Sequence, residues 1–136
     1  MNRIGLELLS EENSLDVYSF EKENHDVYMH LIRDSQGMMV GRINLSVLGS
    51  DRKTAELGYR IGENVTNLGY ASEAVKLVLD KAFHTYGLNR IVTGTATDNL
   101  ASKRVPLKNG FTFSRIIEND LRMNNKWAHT EIFDLI

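Results

Sequence analysis

The chain has 136 residues, is 42% hydrophobic and carries a formal net charge of −2, which predicts one globular domain over residues 1–136 with enough apolar material to build a core. That charge, with no Lys/Arg-rich block, argues against nucleic acid as a partner. Cysteine is absent, so disulfides, thiolate nucleophiles and cysteine-held metals are excluded, and the composition fits a reducing, cytoplasmic setting.

Arg3 to Leu9 alternates Ile4, Leu6 and Leu8 with polar neighbours, the mark of a half-buried strand. Nothing there reads as a secretory leader, because Glu7, Glu11 and Glu12 break any apolar run. No stretch of the chain approaches the ~18 apolar residues that cross a bilayer. Ser10-Glu11-Glu12-Asn13 has the chemistry of a helix start, a serine cap followed by carboxylates. It predicts a short helix through Leu15, Val17, Tyr18 and Phe20. His25 to Arg33 alternates again and predicts a second strand, and Asp34-Ser35-Gln36-Gly37 a turn. Met38 to Leu48 predicts a third strand, with Gly41 as a candidate bulge. Gly49 to Arg52 turns the chain into a fourth, Thr54-Ala55-Glu56-Leu57-Gly58-Tyr59-Arg60-Ile61.

The most informative segment follows. Asn64 to Gly69 is a polar turn closed by glycine, and it runs directly into a helix with apolar residues at Ala74, Val75, Val78, Leu79, Ala82, Phe83 and Tyr86. Backbone N–H groups left unpaired at the start of such a helix form a seat for an anion. Strand, turn and helix in that order also describe an ordinary connection. Gly87 sits where a left-handed cap belongs, Ile91 to Ala96 predicts a strand, and Asp98 or Asn99 caps a helix that stops at Gly110. Phe111 to Ile117 and Trp127 to Ile136 predict two closing strands, joined through the polar stretch Glu118 to Lys126. Hairpins and helical crossovers together predict an α/β (α+β) fold with a mixed sheet. Phe133 and Trp127, placed near a sheet edge, would either let a second copy pair there as a homodimer or pack on the core. The histidines, His25, His30, His84 and His129, show no helical metal-ligand spacing, and no serine lies in a nucleophile elbow.

Taken in order, Ala55 to Ile61, Gly69-Tyr70-Ala71-Ser72-Glu73-Ala74, Asn99-Leu100-Ala101-Ser102, Lys108-Asn109-Gly110-Phe111 and Lys126-Trp127 resemble the GNAT superfamily of acyl-CoA-dependent N-acetyltransferases. The likeness runs from about Val40 to the C-terminus and is nearest to the branch that acetylates N-terminal amines of ribosomal proteins. It implies a mostly antiparallel sheet of about six to seven strands, flanked by helices, whose central pair splays to admit the pantetheine arm of acetyl-CoA. It also implies that the Tyr59-Arg60-Ile61 backbone bonds the pantetheine amides. Thr66, Asn67, Leu68, Gly69, Tyr70 and Ala71 would supply N–H groups to the pyrophosphate, and Ser72 a hydroxyl. Asn99 stands where the family's asparagine meets the cofactor arm, and it serves equally as a helix cap. The implied reaction is acetyl transfer to a primary amine, on a protein N-terminus or a small molecule. Acetyl-CoA and the amine are then the partners, without metal, nucleic acid or membrane.

The chain departs from the family pattern in places. Thr66 replaces a long polar residue and Asn67 a further glycine, although asparagine tolerates positive φ. Pro106 occupies the place of the tyrosine that protonates the departing thiolate in many relatives. Proline has no proton to give, and inside a helix it removes a backbone bond at ~3 kcal/mol or forces a kink. The segment before Val40 is short for the family, which implies an acceptor site that is open or completed by another subunit. A second reading therefore stands beside the first: a family fold that binds CoA or a partner without catalysis. Alternation puts Glu56, Gly58 and Arg60 on one face of their strand, with Leu57, Tyr59 and Ile61 on the other. Glu56 is the first candidate for general base, weighed against a solvated or Arg60-paired carboxylate, with His129 and Glu131 behind it. Ser102 matches a serine that some relatives use as the acid, and fits a helix-start role as well.

Overall fold

The computed structural model describes residues 3–9, 27–62, 69–96, 100–123 and 126–136. The helix expected from Ser10 onward lies outside these residues. Alternating segments form strands β1 (Ile4–Leu8), β2 (Val27–Asp34), β3 (Met39–Leu48), β4 (Thr54–Ile61) and β5 (Arg90–Ala96). The 3.6-residue period forms helix α1 (Tyr70–His84) between β4 and β5, and helix α2 (Leu100–Lys108) precedes β6 (Thr112–Met123) and β7 (Lys126–Leu135). The strands make one 7-stranded sheet in the order β1-β2-β3-β4-β5-β7-β6. Among the described strands, only β4 and β5 run parallel, as the helical crossover between them requires. Among the described residues, no helix is long and apolar enough to cross a membrane.

The core lies on one face of this sheet. Leu45 pairs with Leu57 and Ile43 with Tyr59 across β3 and β4, and Ala55, Ile91 and Phe133 extend the same apolar layer. Helix α1 closes on it with Ala74, Val75, Val78, Leu79 and Ala82. Burial at roughly 1.5–3 kcal/mol for each valine- or leucine-sized side chain makes this docking the main support of the helix. Its polar side carries His84, which meets Asp80 at 3.7 Å in solvent. Gly87 at φ 73 then turns the chain into β5.

A histidine lies inside this core. His30 is 1% exposed, with Nδ1 3.1 Å from the Ile43 carbonyl and Nε2 2.7 Å from the Tyr86 hydroxyl. Because a carbonyl only accepts, Nδ1–H donates to Ile43, and Nε2 accepts from Tyr86. Tyr86 in turn stacks on Tyr28 at 3.9 Å between ring centroids. Burial, helped by Lys81 and opposed by the Ile43 carbonyl, holds the His30 pKa below its usual 6.5. The unfolded chain therefore takes up a proton that the folded one refuses. The associated stability is complete above the unfolded value and is lost as pH falls towards the folded one. Urea unfolding should show a midpoint that falls between about pH 7.5 and 5.5, and falls less in His30→Gln. Equal pH slopes in the two proteins would contradict this.

Four local features differ from, or refine, the sequence expectation. The stretch Glu118 to Lys126 is not a connecting loop: β6 and β7 run through it, pairing Leu121 with Ala128 and Met123 with Lys126 across a register shift after Ile117. Main-chain ladder bonds do not depend on side-chain polarity, so Leu121, Arg122 and Met123 can pair with Ala128, Trp127 and Lys126, while Glu118 to Asp120 fall in the register shift. Phe133 is not at an edge. Strand β7 lies between β5 and β6, and Phe133 is 3% exposed in the core, so the homodimer loses that argument; the side chain of Trp127 is outside the described residues. Among the described side chains, the apolar ones exposed on the edge strand β6 are Phe113 and Ile116. The expected bulge falls at Val40, next to Gly41, where the register slips from Ile32–Gly41 to Arg33–Met39. Pro106 does not stop α2. It is fully buried, the helix continues to Lys108, and Asn109 N–H meets the carbonyls of both Val105 and Pro106 at 3.2 and 3.0 Å. The missing bond thus falls within the last turns of the helix.

Candidate active site

The sheet opens at its centre. β4 and β5 pair at Thr54–Arg90, Ala55–Ile91 and Glu56–Val92, and no further. Each strand continues because its other neighbour holds it: β3 pairs with β4 as far as Ile61, and β7 pairs with β5 as far as Ala96. Beyond Glu56 the β4 edge that faced β5 has lost its ladder. The first carbonyl past the branch, Leu57, accepts a hydrogen bond from the Thr93 hydroxyl at 3.1 Å. Thr95, the next residue on that face of β5, is 8% exposed, and its hydroxyl has no hydrogen-bond partner among the described residues. A buried polar atom without a partner is rare in a folded protein and points to a missing ligand or water.

Helix α1 follows β4 in the chain and begins at Tyr70. Gly69 is its N-cap at φ 80, with no side-chain cap, and the first intrahelical bond runs from Glu73 N–H to the Gly69 carbonyl at 3.3 Å. The N–H groups of Tyr70, Ala71 and Ser72 precede that bond and are free of helical acceptors. Arg3 borders this start. It pairs with Glu73, lies 4.9 Å over the Tyr70 ring, and its Nη2 is 3.2 Å from where a Gly69 Cβ would stand. The hydrogen bond with Arg3 holds the Glu73 carboxyl below the usual carboxylate range. Asn109 fixes the other side, donating to Ser72 Oγ at 3.2 Å and to the Val105 carbonyl at 3.0 Å. Ser72 Oγ accepts there, so its own proton remains available to a ligand.

The sheet face away from the helices is polar. Glu56 and Arg60 are exposed there, as alternation predicts, while Tyr59 and Ile61 pack against the core on the other side. Burial raises the Tyr59 pKa. Glu56 belongs to the last β4–β5 pair, so its carboxylate stands at the branch point, and it makes no ion pair with Arg60. A groove of ≈ 210 Å³ lies alongside, lined by Met29, Arg42, Asn44, Gly58, Tyr59 and Arg60.

Glu56 stands at the last β4–β5 pair, Tyr59, Arg60 and Ile61 lie on β4 beyond it, and Gly69, Tyr70, Ala71 and Ser72 form the start of α1. Thr66, Asn67, Leu68 and Asn99 lie outside the described residues, as does the side chain of Ser102. Glu131 is already engaged, with the Lys103 ammonium against its buried Oε2, which makes it a weak candidate for a base. His129 is exposed on β7. Among the described residues, no three acidic or histidine side chains stand close enough to hold a metal. Sequence reasoning missed Thr93, Thr95 and Arg3, and it gave Asn109 no role. Only the place of Asn109 in the quoted motif pointed to it.

A family model, Acetyltransferase (GNAT) domain, matches residues 6–112. The chain belongs to this family. It is 28% identical over 116 residues to the probable N-acetyltransferase YjcK of Bacillus subtilis, covering 85% of this chain and 64% of that protein. It is 25% identical over 95 residues to the ribosomal-protein-serine acetyltransferase of Escherichia coli, covering 70% and 53%. The chain thus spans about 64% of the length of YjcK. Among solved structures, the fold matches the spermidine N-acetyltransferase of Vibrio cholerae in complex with CoA and spermine, with a TM-score of 0.86 at 14% identity over 98% of this chain and 95% of that one.

Proposed function

We propose that this protein transfers the acetyl group of acetyl-CoA to a primary amine. The observation that carries the reading is the end of β4–β5 pairing at Glu56 and Val92 while β4 stays held by β3 to Ile61. An extended arm bearing amides suits an unpaired strand edge, and a diphosphate suits the uncapped start of α1. On this reading the main chain of Tyr59, Arg60 and Ile61 receives the pantetheine, and the N–H groups from Gly69 to Ala71 with the Ser72 hydroxyl receive the diphosphate. Thr66, Asn67, Leu68 and Asn99 join them by family resemblance.

The amine approaches from the polar face. Glu56 removes its proton as the nitrogen lone pair adds to the thioester carbonyl, main-chain N–H groups meet the oxyanion, and the C–S bond breaks. The leaving thiolate takes a proton from Ser102 or water, giving an amide and free CoA. Acetyl-CoA titrated calorimetrically should bind with a Kd below about 1 mM; no heat at that concentration overturns the proposal. Glu56→Gln should lower kcat/KM by about 10²–10³, whereas a loss below about threefold moves the base to a water or another group. Pro106 favours a second reading, because it offers no proton where relatives carry tyrosine. Cofactor binding without turnover of any amine would make this protein a CoA-binding module.

A further inference from the structure

The polar face beside the proposed thioester position carries a cationic pair. Arg42 and Arg60 are direct register partners across β3 and β4, Asn44 and Gly58 form the next pair on that face, and Ser46 and Glu56 the one after. Opposed residues in an antiparallel pair have Cβ atoms about 4.5–5.5 Å apart, and like charges so placed repel. Arg60 makes no ion pair or hydrogen bond among the described residues. Both arginines line the same groove of ≈ 210 Å³, together with Asn44. Gly58 lines it as well. A Cβ added there would meet nothing nearer than Asn44 Nδ2 at 3.9 Å, so the fold does not need glycine at this position, and its bare backbone keeps the groove deep.

We infer that the amine acceptor also carries an anionic group, which Arg60 and Arg42 bind while its nitrogen lies towards Glu56. This rests on the acetyltransferase reading and narrows it. The Arg60 guanidinium offers a forked, donor-rich site to a carboxylate or phosphate, and Arg42 opposite, which has a partner of its own, adds positive charge beside it. They disfavour a polyamine, whose own positive charges a cationic groove repels. Arg60 and Glu56 are four residues apart on the strand, about 13 Å, a span that their two side chains shorten enough to hold a small zwitterion between them. The structural likeness to spermidine N-acetyltransferases therefore reflects the fold and not the acceptor.

The test is a competition assay on the full chain, after calorimetry has established acetyl-CoA binding in the same preparation. Acceptors are free amino acids, their carboxamides, phosphoethanolamine and spermidine. The anionic amines should exceed the carboxamides in kcat/KM by at least about tenfold, the increment that one charge-assisted hydrogen bond supplies. The carboxylate and phosphate arms report which anion the groove prefers. Arg60→Gln should shrink that preference to about twofold, chiefly through KM, and Arg60→Glu should turn it towards spermidine. Preference for spermidine or the carboxamides by the wild type overturns the inference, as does an unchanged preference in both variants or no turnover of any acceptor. Failure to bind acetyl-CoA overturns the acetyltransferase reading itself, so the two failures are distinct.

Discussion

Gly69→Asp should weaken acetyl-CoA binding at least about 100-fold, measured by calorimetry, with the fold retained. Three effects add. Gly69 has φ 80, a conformation that side chains rarely adopt. A Cβ there stands 3.2 Å from Arg3 Nη2, which crowds the entrance. The new carboxylate would also occupy the positive end of α1, the position proposed for the diphosphate. Gly69→Asn separates charge from shape, because asparagine is the same size and tolerates this backbone about as well; a loss of only about tenfold is expected from it. Unchanged affinity in the aspartate variant would mean that the diphosphate sits elsewhere.

The largest stability effect is expected at Gly41. A Cβ at this position would lie 2.4 Å from the Arg60 carbonyl oxygen and 3.1 Å from the Ile61 Cα. Both are backbone atoms of the neighbouring strand and cannot rotate aside. Relief requires β3 and β4 to separate where Gly41 pairs with Ile61, which also displaces the strand edge proposed for the pantetheine. Gly41→Ala should therefore destabilise the protein by about 3 kcal/mol or more in urea unfolding, at the upper end of overpacking effects. A change below about 0.5 kcal/mol would show that the strands separate freely. Gly58→Ala, with open space around it, provides the contrast: stability close to wild type, with the groove partly filled.

Much of this arrangement was legible in the chain. Strands β3, β4 and β5 and helix α1 followed from periodicity, because each buries one face and leaves the other wet. The sides taken by Glu56 and Leu57 followed from the same rule. What stayed hidden depends on tertiary pairing. Phe133 looked like an edge residue because chain order does not reveal that β7 inserts between β5 and β6. Glu118, Asn119 and Asp120 looked like a loop because both faces of that hairpin carry polar residues. Arg3 reaches Glu73 from 70 residues away, and nothing local to β1 signals the contact. The hydroxyls of Thr93 and Thr95 could be located only once β4 and β5 were seen to part.

That parting has a mechanical consequence. Three rungs join two antiparallel blocks, β1 to β4 and β5 with β7 and β6, so the middle of the sheet is a seam that an occupant can stitch. An acetyl-CoA arm lying along it would replace the absent rungs and couple the blocks. Saturation at a hundredfold excess over Kd should then add about 2.7 kcal/mol to global stability. Amide exchange should slow most at residues 57–61 and 93–96, where the unliganded sheet is least tied together.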